Sequence, residues 1–169
     1  MDENITSAKS VGEVVSIQGQ AHVVYETGTR ELSKGSELFQ GEKIVTQEGG
    51  QLEIKFQDNT VLSQGGNSEV VIDAYLYDPE DGSNSNLLFE MTKGVFRTVT
   101  GEIAKQNPDN FNLKSPMALI GIRGTTVVTE IKEEHEKWGV EKFTEKSGEE
   151  KIALVLQDSL GNTRFILEP

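Results

Sequence analysis

The chain has 169 residues, 28 of them acidic and 16 basic, for a net charge of -12, and it contains no cysteine. That length suits one domain around a single core, and the charge repels nucleic-acid phosphates and anionic headgroups over the screening length. Without thiols, disulfides, thiolate metal sites, iron–sulfur clusters and cysteine nucleophiles are excluded.

Residues 1–10 lack the apolar core of a secretory signal, and no later run approaches the ~20 apolar residues of a membrane span. They are expected to be a flexible N-terminus of a soluble chain with no export address of its own, Met1 beginning either the protein or an excised domain. From residue 12 to 72, short apolar runs alternate with turn residues, the pattern of consecutive antiparallel strands. The expected strands are Glu13 to Ile17, Ala21 to Tyr25, Glu42 to Val45, Gln51 to Phe56, Thr60 to Leu62 and Glu69 to Ile72. Leu52, Ile54 and Phe56 fall on one face and Glu53, Lys55 and Gln57 on the other, so one face is core and the other wet. Asp58 and Asn59 tolerate positive φ and suit a two-residue hairpin turn.

The polar stretch from Tyr77 to Asn86 is expected to be an exposed loop. Leu87 to Met91 and Val95 to Val99 read as two strands with a turn or bulge at Gly94, a short helix over the first being the alternative. Gly101 to Asn110 reads as another loop, followed by alternation from Phe111 to Ser115 that Pro116 interrupts. Between residues 130 and 151 a charged hairpin is favoured over a short helix, because Trp138, Val140 and the run from Thr125 to Ile131 outweigh the helical spacing of Glu133 and Lys137. Lys151 to Gln157 and Thr163 to Leu167 close the chain as strands joined at Gly161 and Asn162. Glycines at 19, 41, 50, 94, 121 and 124 are read as turn or close-packing positions first.

Several stretches in order resemble the FecR-type domain, named for the ferric citrate regulator of bacterial envelopes. They are the opening from Val11 to Gln20, Leu38 to Thr46 before a glycine-rich turn, Leu52 to Leu62 with Asp58-Asn59-Thr60 where the family has Asp-Gly-Ser or Asp-Gly-Thr, Lys93 to Arg97, and Pro116 to Thr126. The resemblance covers residues 11–128, with 129–169 as C-terminal strands completing the same domain. It implies a mainly β fold, an antiparallel β-sandwich or jelly-roll-like single domain, placed in the periplasm or at the cell surface and working by protein contact. The chain carries neither signal peptide nor membrane segment of its own, so the cytoplasm stays open as a location. In the family's best-known members the domain passes a signal from an outer-membrane iron transporter to an anti-sigma or sigma factor. This sequence lacks the cytoplasmic anti-sigma segment and the membrane helix of that arrangement, so iron signalling is not carried over. Similar domains are modules of surface adhesins, whose retention modules carry an Ala-Ala-Gly protease site that does not occur here.

No catalytic residue is assigned. The glycines and hydroxyls from Gly121 to Thr126 lack the Gly-Lys-Ser/Thr core of a phosphate loop and precede a β-branched run instead of a helix. No Gly-x-Ser-x-Gly elbow occurs, and the two histidines, His22 and His135, lie far apart. Asp73, Asp78, Glu80 and Asp81 offer the oxygen ligands that calcium takes, but not at EF-hand spacing; a solvated loop is expected, and no cofactor or metal is predicted. The expected partner is a protein, contacted through Tyr75, Tyr77, Asp78, Asp81 and Arg123, with Gly19, Gly41, Asp58, Asn59, Gly94, Gly121 and Gly124 as structural turns. A calcium- or small-ligand-binding adhesin module is the alternative.

Overall fold

The computed structural model describes residues 9–122, 126–132, 135–141, 152–158 and 163–168. The strands are β1 (Ser10–Gln18), β2 (Ala21–Tyr25), β3 (Gly28–Glu31), β4 (Glu37–Phe39), β5 (Lys43–Thr46), β6 (Gln51–Phe56), β7 (Val61–Gln64), β8 (Ser68–Leu76), β9 (Asn86–Val99), β10 (Phe111–Lys114), β11 (Ala118–Ile122), β12 (Thr126–Lys132), β13 (His135–Glu141), β14 (Ile152–Asp158) and β15 (Thr163–Glu168). They form two sheets that share β9. The first runs β4-β1-β6-β7-β9-β12-β13, the second β3-β2-β5-β8-β9-β10-β11-β14-β15. Pairing is antiparallel except between β9 and β10, which are parallel.

Strand β9 is the hinge of the architecture. Its first half pairs with β8 and β10, its second half with β7 and β12, so one continuous strand passes from one sheet to the other. The passage happens at Gly94, where φ is +112°. Before it the buried side chains are Leu87, Phe89 and Met91; after it they are Phe96 and Thr98, so the bend also exchanges odd for even positions on the inner face. The two strands read from the sequence are therefore one, turned at the glycine. Without this corner the two sheets could not fold over a common core.

The core lies between the sheets. Phe56 of the first sheet meets Tyr75 and Phe89 of the second at ring-centroid distances of 5.5 and 4.8 Å, and each buried ring contributes about 2–3 kcal/mol. Leu52, Ile54 and Phe56 are buried as the alternation requires. The architecture is thus mainly β, a curled antiparallel sandwich.

Other expectations need correction. The link from β6 to β7 is a three-residue loop, not a two-residue one: Asn59 N donates to Phe56 O at 3.0 Å and Phe56 N to Thr60 O at 2.8 Å. Only Asn59 takes positive φ, at +70°, while Asp58 does not. Gly101 to Asn110 is not irregular: it holds a short helix α1 (Glu102–Gln106) and a 3-10 turn (Pro108–Asn110). Strands β3 and β4 were not expected. Gly19 and Gly41 do occupy left-handed backbone, at φ +71° and +89°. Gly121 is no turn, since it lies inside β11 opposite Asn112 and Val155. Gly124, the proposed turn at Gly161 and Asn162, and most of the flexible N-terminus lie outside the described residues. The charged hairpin expected between residues 130 and 151 starts earlier, as β12 and β13, in unbroken register from Thr126 opposite Glu141 to Lys132 opposite His135, and residues 142–151 lie outside the described residues.

Candidate interaction surface

The loop after β8 is held by its own carboxylates. Asp78 Oδ1 accepts from the amides of Glu80 and Asp81 at 2.9 and 3.2 Å. Asp81 Oδ1 accepts from the Ser83 hydroxyl at 2.6 Å and the Ser83 amide at 3.0 Å, and its Oδ2 from Asn84 Nδ2 at 3.1 Å. These are the local turns that Asp makes with following amides. The Ser83 hydroxyl and then its amide hold the Asp81 carboxyl below its ordinary range. The loop is also fastened from below, Gln106 Nε2 donating to Pro79 O at 3.1 Å and Asn107 Nδ2 to Gly82 O at 3.3 Å. It is an ordered platform with an acidic outer side, not an open tether.

Beneath it lies Asp58, fully buried. Its Oδ1 accepts from the Tyr75 hydroxyl at 2.7 Å and the Thr60 amide at 3.2 Å; its Oδ2 accepts from the Thr60 hydroxyl at 2.7 Å and the Ile103 amide at 3.0 Å. The Asp58 carbonyl accepts from Glu102 N at 2.8 Å. Asp58, 45 residues away in sequence from Ile103, thus binds two of the amides that a helix start leaves without partners, Ile103 N through its carboxylate and Glu102 N through its backbone carbonyl. The N-cap, Gly101, makes no side-chain bond. It is glycine because a Cβ there would stand 2.3 Å from Asp58 O.

Tyr75, read from the sequence as a contact residue, is only 5% exposed. It belongs to the core, where burial first, and then the charge and hydrogen bond of Asp58, push its hydroxyl pKa up. The reason is a bulge in β8 between Ile72 and Ala74. Val70 and Ile72 are buried, so simple alternation would bury Leu76 and expose Tyr75; the bulge reverses this, and Leu76 is 57% exposed. Tyr77 packs partly against the core, Asp78 is half-buried and Asp81 exposed. Leu76, at the end of β8, and Asp81 are thus exposed, with Tyr77 and Asp78 half-buried between them in sequence. Arg123 lies outside the described residues.

A half-buried ion pair that the sequence did not reveal joins Arg30 of β3 to Glu42. Glu42, 5% exposed, accepts from Arg30 at 2.9 and 2.8 Å, from Phe39 N at 2.7 Å and from the Tyr25 hydroxyl. Burial alone would lower the Arg30 pKa; the hydrogen bonds and charge of Glu42 outweigh it and push it up. The partners come from different strands, and no local spacing signals them.

The outer face of the first sheet forms a groove of about 470 Å³. Cross-strand neighbours Glu53, Ser63, Arg97 and Val128 line its centre, and exposed Val95 and Val128 give it apolar patches. Beyond it lies β13, where Glu136 accepts from Met117 N at 3.0 Å and from the Ser115 hydroxyl, tying the hairpin to the turn between β10 and β11. Among the described residues no group of three or more His, Asp or Glu is arranged to hold a metal ion, and no helix is long and apolar enough to cross a membrane.

A family model described as FecR protein matches residues 42–143. No curated protein and no solved structure matches the chain.

Proposed function

The chain belongs to the FecR protein family, and from that premise we propose that it is a non-enzymatic module that binds another protein at a bacterial cell envelope or surface, in signalling or assembly. The observation that carries the proposal is where the match falls. Residues 42–143 take in the strands from β5 to β13 and the ordered acidic loop between β8 and β9, and this supports reading the chain as a scaffold that presents surfaces to a partner.

Sheet edges supply main-chain donors and acceptors to a partner strand, and loop side chains add selectivity. Tyr77, Asp78 and Asp81 on one loop, and Arg123 between β11 and β12, are the proposed contacts. An acidic platform favours a partner with a basic face and speeds its encounter more than it deepens its affinity. The test is substitution. Arg123→Ala is expected to weaken the complex with the endogenous partner and leave thermal melting unchanged. Lowered melting with binding intact would place Arg123 in the scaffold and contradict the assignment.

A further inference from the structure

Among the described residues four strands end the sheets: β3 and β4 in one direction, β13 and β15 in the other. Three of them are guarded. Strands β3 and β4 have four and three residues, and β13 reads His-Glu-Lys-Trp-Gly-Val-Glu, with charges of the kind that discourage edge pairing. Strand β15 differs. It reads Thr-Arg-Phe-Ile-Leu-Glu, six residues that pair with β14 along their whole length. Its centre, Phe165-Ile166-Leu167, is apolar at odd and even positions alike. Its neighbour β14 begins Ile-Ala-Leu-Val-Leu, the composition of strands covered on both faces.

We infer that β15 pairs antiparallel with β15 of a second copy of this chain, joining the two second sheets into one. Symmetry restricts how this can be done. A two-fold axis that makes neighbouring strands antiparallel stands perpendicular to the sheet, and directly opposed residues share a face. One residue must then oppose itself. Centring on Ile166 puts Arg164 opposite Glu168 twice and Phe165 opposite Leu167 twice, so unlike charges face each other and apolar positions face apolar positions. Centring on Phe165 sets Arg164 against Ile166, and centring on Leu167 sets Ile166 against Glu168. The register on Ile166 alone matches both kinds of residue.

The charge of the chain agrees with this choice of edge. Two copies of net charge -12 repel each other over most of their surfaces, but β14 and β15 carry only Asp158, Arg164 and Glu168 as charged residues. Repulsion between copies is therefore weak where these strands meet.

The chain has no cysteine, so one introduced thiol reports the register. Sedimentation of the full chain over a concentration series should show a monomer–dimer equilibrium. Mild oxidation should crosslink Ile166→Cys, since opposed Cα atoms of about 4.5–5.5 Å lie within disulfide range. It should leave Arg164→Cys uncrosslinked, because the two copies of that position would stand about 14 Å apart. Arg164→Glu should weaken the dimer about tenfold through two like-charge pairs, and adding Glu168→Arg should restore it without a change in melting temperature. A monomer at every concentration would overturn the proposal. So would a dimer that crosslinks at Arg164 but not at Ile166, or one insensitive to the charge reversal.

Discussion

Tyr75 and Asp58 are bonded twice: the Tyr75 hydroxyl donates to Asp58 Oδ1 at 2.7 Å and accepts from the Asp58 amide at 2.9 Å. Through this pair β8 of the second sheet holds the loop between β6 and β7 of the first. The same carboxylate starts α1 by accepting from Ile103 N, and α1 in turn carries Gln106 under the acidic loop. The candidate surface is thus positioned by a buried group that never reaches it.

Replacing that group should be costly. Asp58→Ala would strand the Tyr75 and Thr60 hydroxyls and the Ile103 and Thr60 amides inside the protein, for an expected loss of about 3–5 kcal/mol. Asp58→Asn, which keeps the shape and two acceptor positions, should lose less. Urea denaturation measures both, and an Ala variant within about 1 kcal/mol of wild type would refute the network.

Tyr75 also sets an alkaline limit. Its folded-state pKa is raised above the ordinary value of 10.0, so the folded protein keeps the proton after the unfolded chain has begun to lose it. The stabilisation is fully present below pH 10 and declines as pH rises beyond it. Denaturation midpoints should fall above about pH 10 more steeply in wild type than in Tyr75→Phe. Parallel curves would show that Tyr75 does not contribute the slope.

Gly94 should not tolerate a side chain. A Cβ there would lie 2.0 Å from Ser68 Oγ and 2.5 Å from Ser68 Cα, on backbone at φ +112°. Gly94→Ala is expected to cost about 3 kcal/mol or more. Gly41→Ala, at φ +89° with nothing within 4 Å, should cost only the backbone strain of about 1–2 kcal/mol. Equal losses in thermal or urea melts would mean that crowding against Ser68 is not what fixes the corner.

Thr98 and Thr129 are buried with hydroxyls that find no hydrogen-bond partner among the described residues. Valine has nearly the same shape and leaves nothing unsatisfied. Thr129→Val should therefore be neutral or raise stability by about 1 kcal/mol, read from the denaturation midpoint. A comparable loss would reveal that the hydroxyl does have a partner.

Much of the scaffold was legible because strict alternation, as in Gln51 to Phe56, reports its own faces. The charged hairpin of β12 and β13 was legible for a similar reason: its β-branched residues outweigh one pair at helical spacing. What escaped were the places where alternation is interrupted. The bulge in β8 exchanged Tyr75 for Leu76 at the surface, and the bend at Gly94 made one strand from two readings. Helix α1 is too short to show a period and depends on a distant carboxylate to start it. Asp58 was read for its backbone tolerance, although the pattern Asp58-x-Thr60 already suggests a carboxylate accepting from the residue two positions on. The loop at 77–86 was recognisable by composition, whereas its attachment to Gln106 and Asn107 exists only in three dimensions.

The central claim, that this FecR-family chain acts by binding a protein at the envelope, is tested most directly by crosslinking the endogenous protein in source cells, fractionating them, and identifying what it carries by mass spectrometry. The account predicts recovery from the envelope fraction with one dominant partner, whose yield falls with Arg123→Ala. Recovery from the cytosol alone, without a partner, would contradict it.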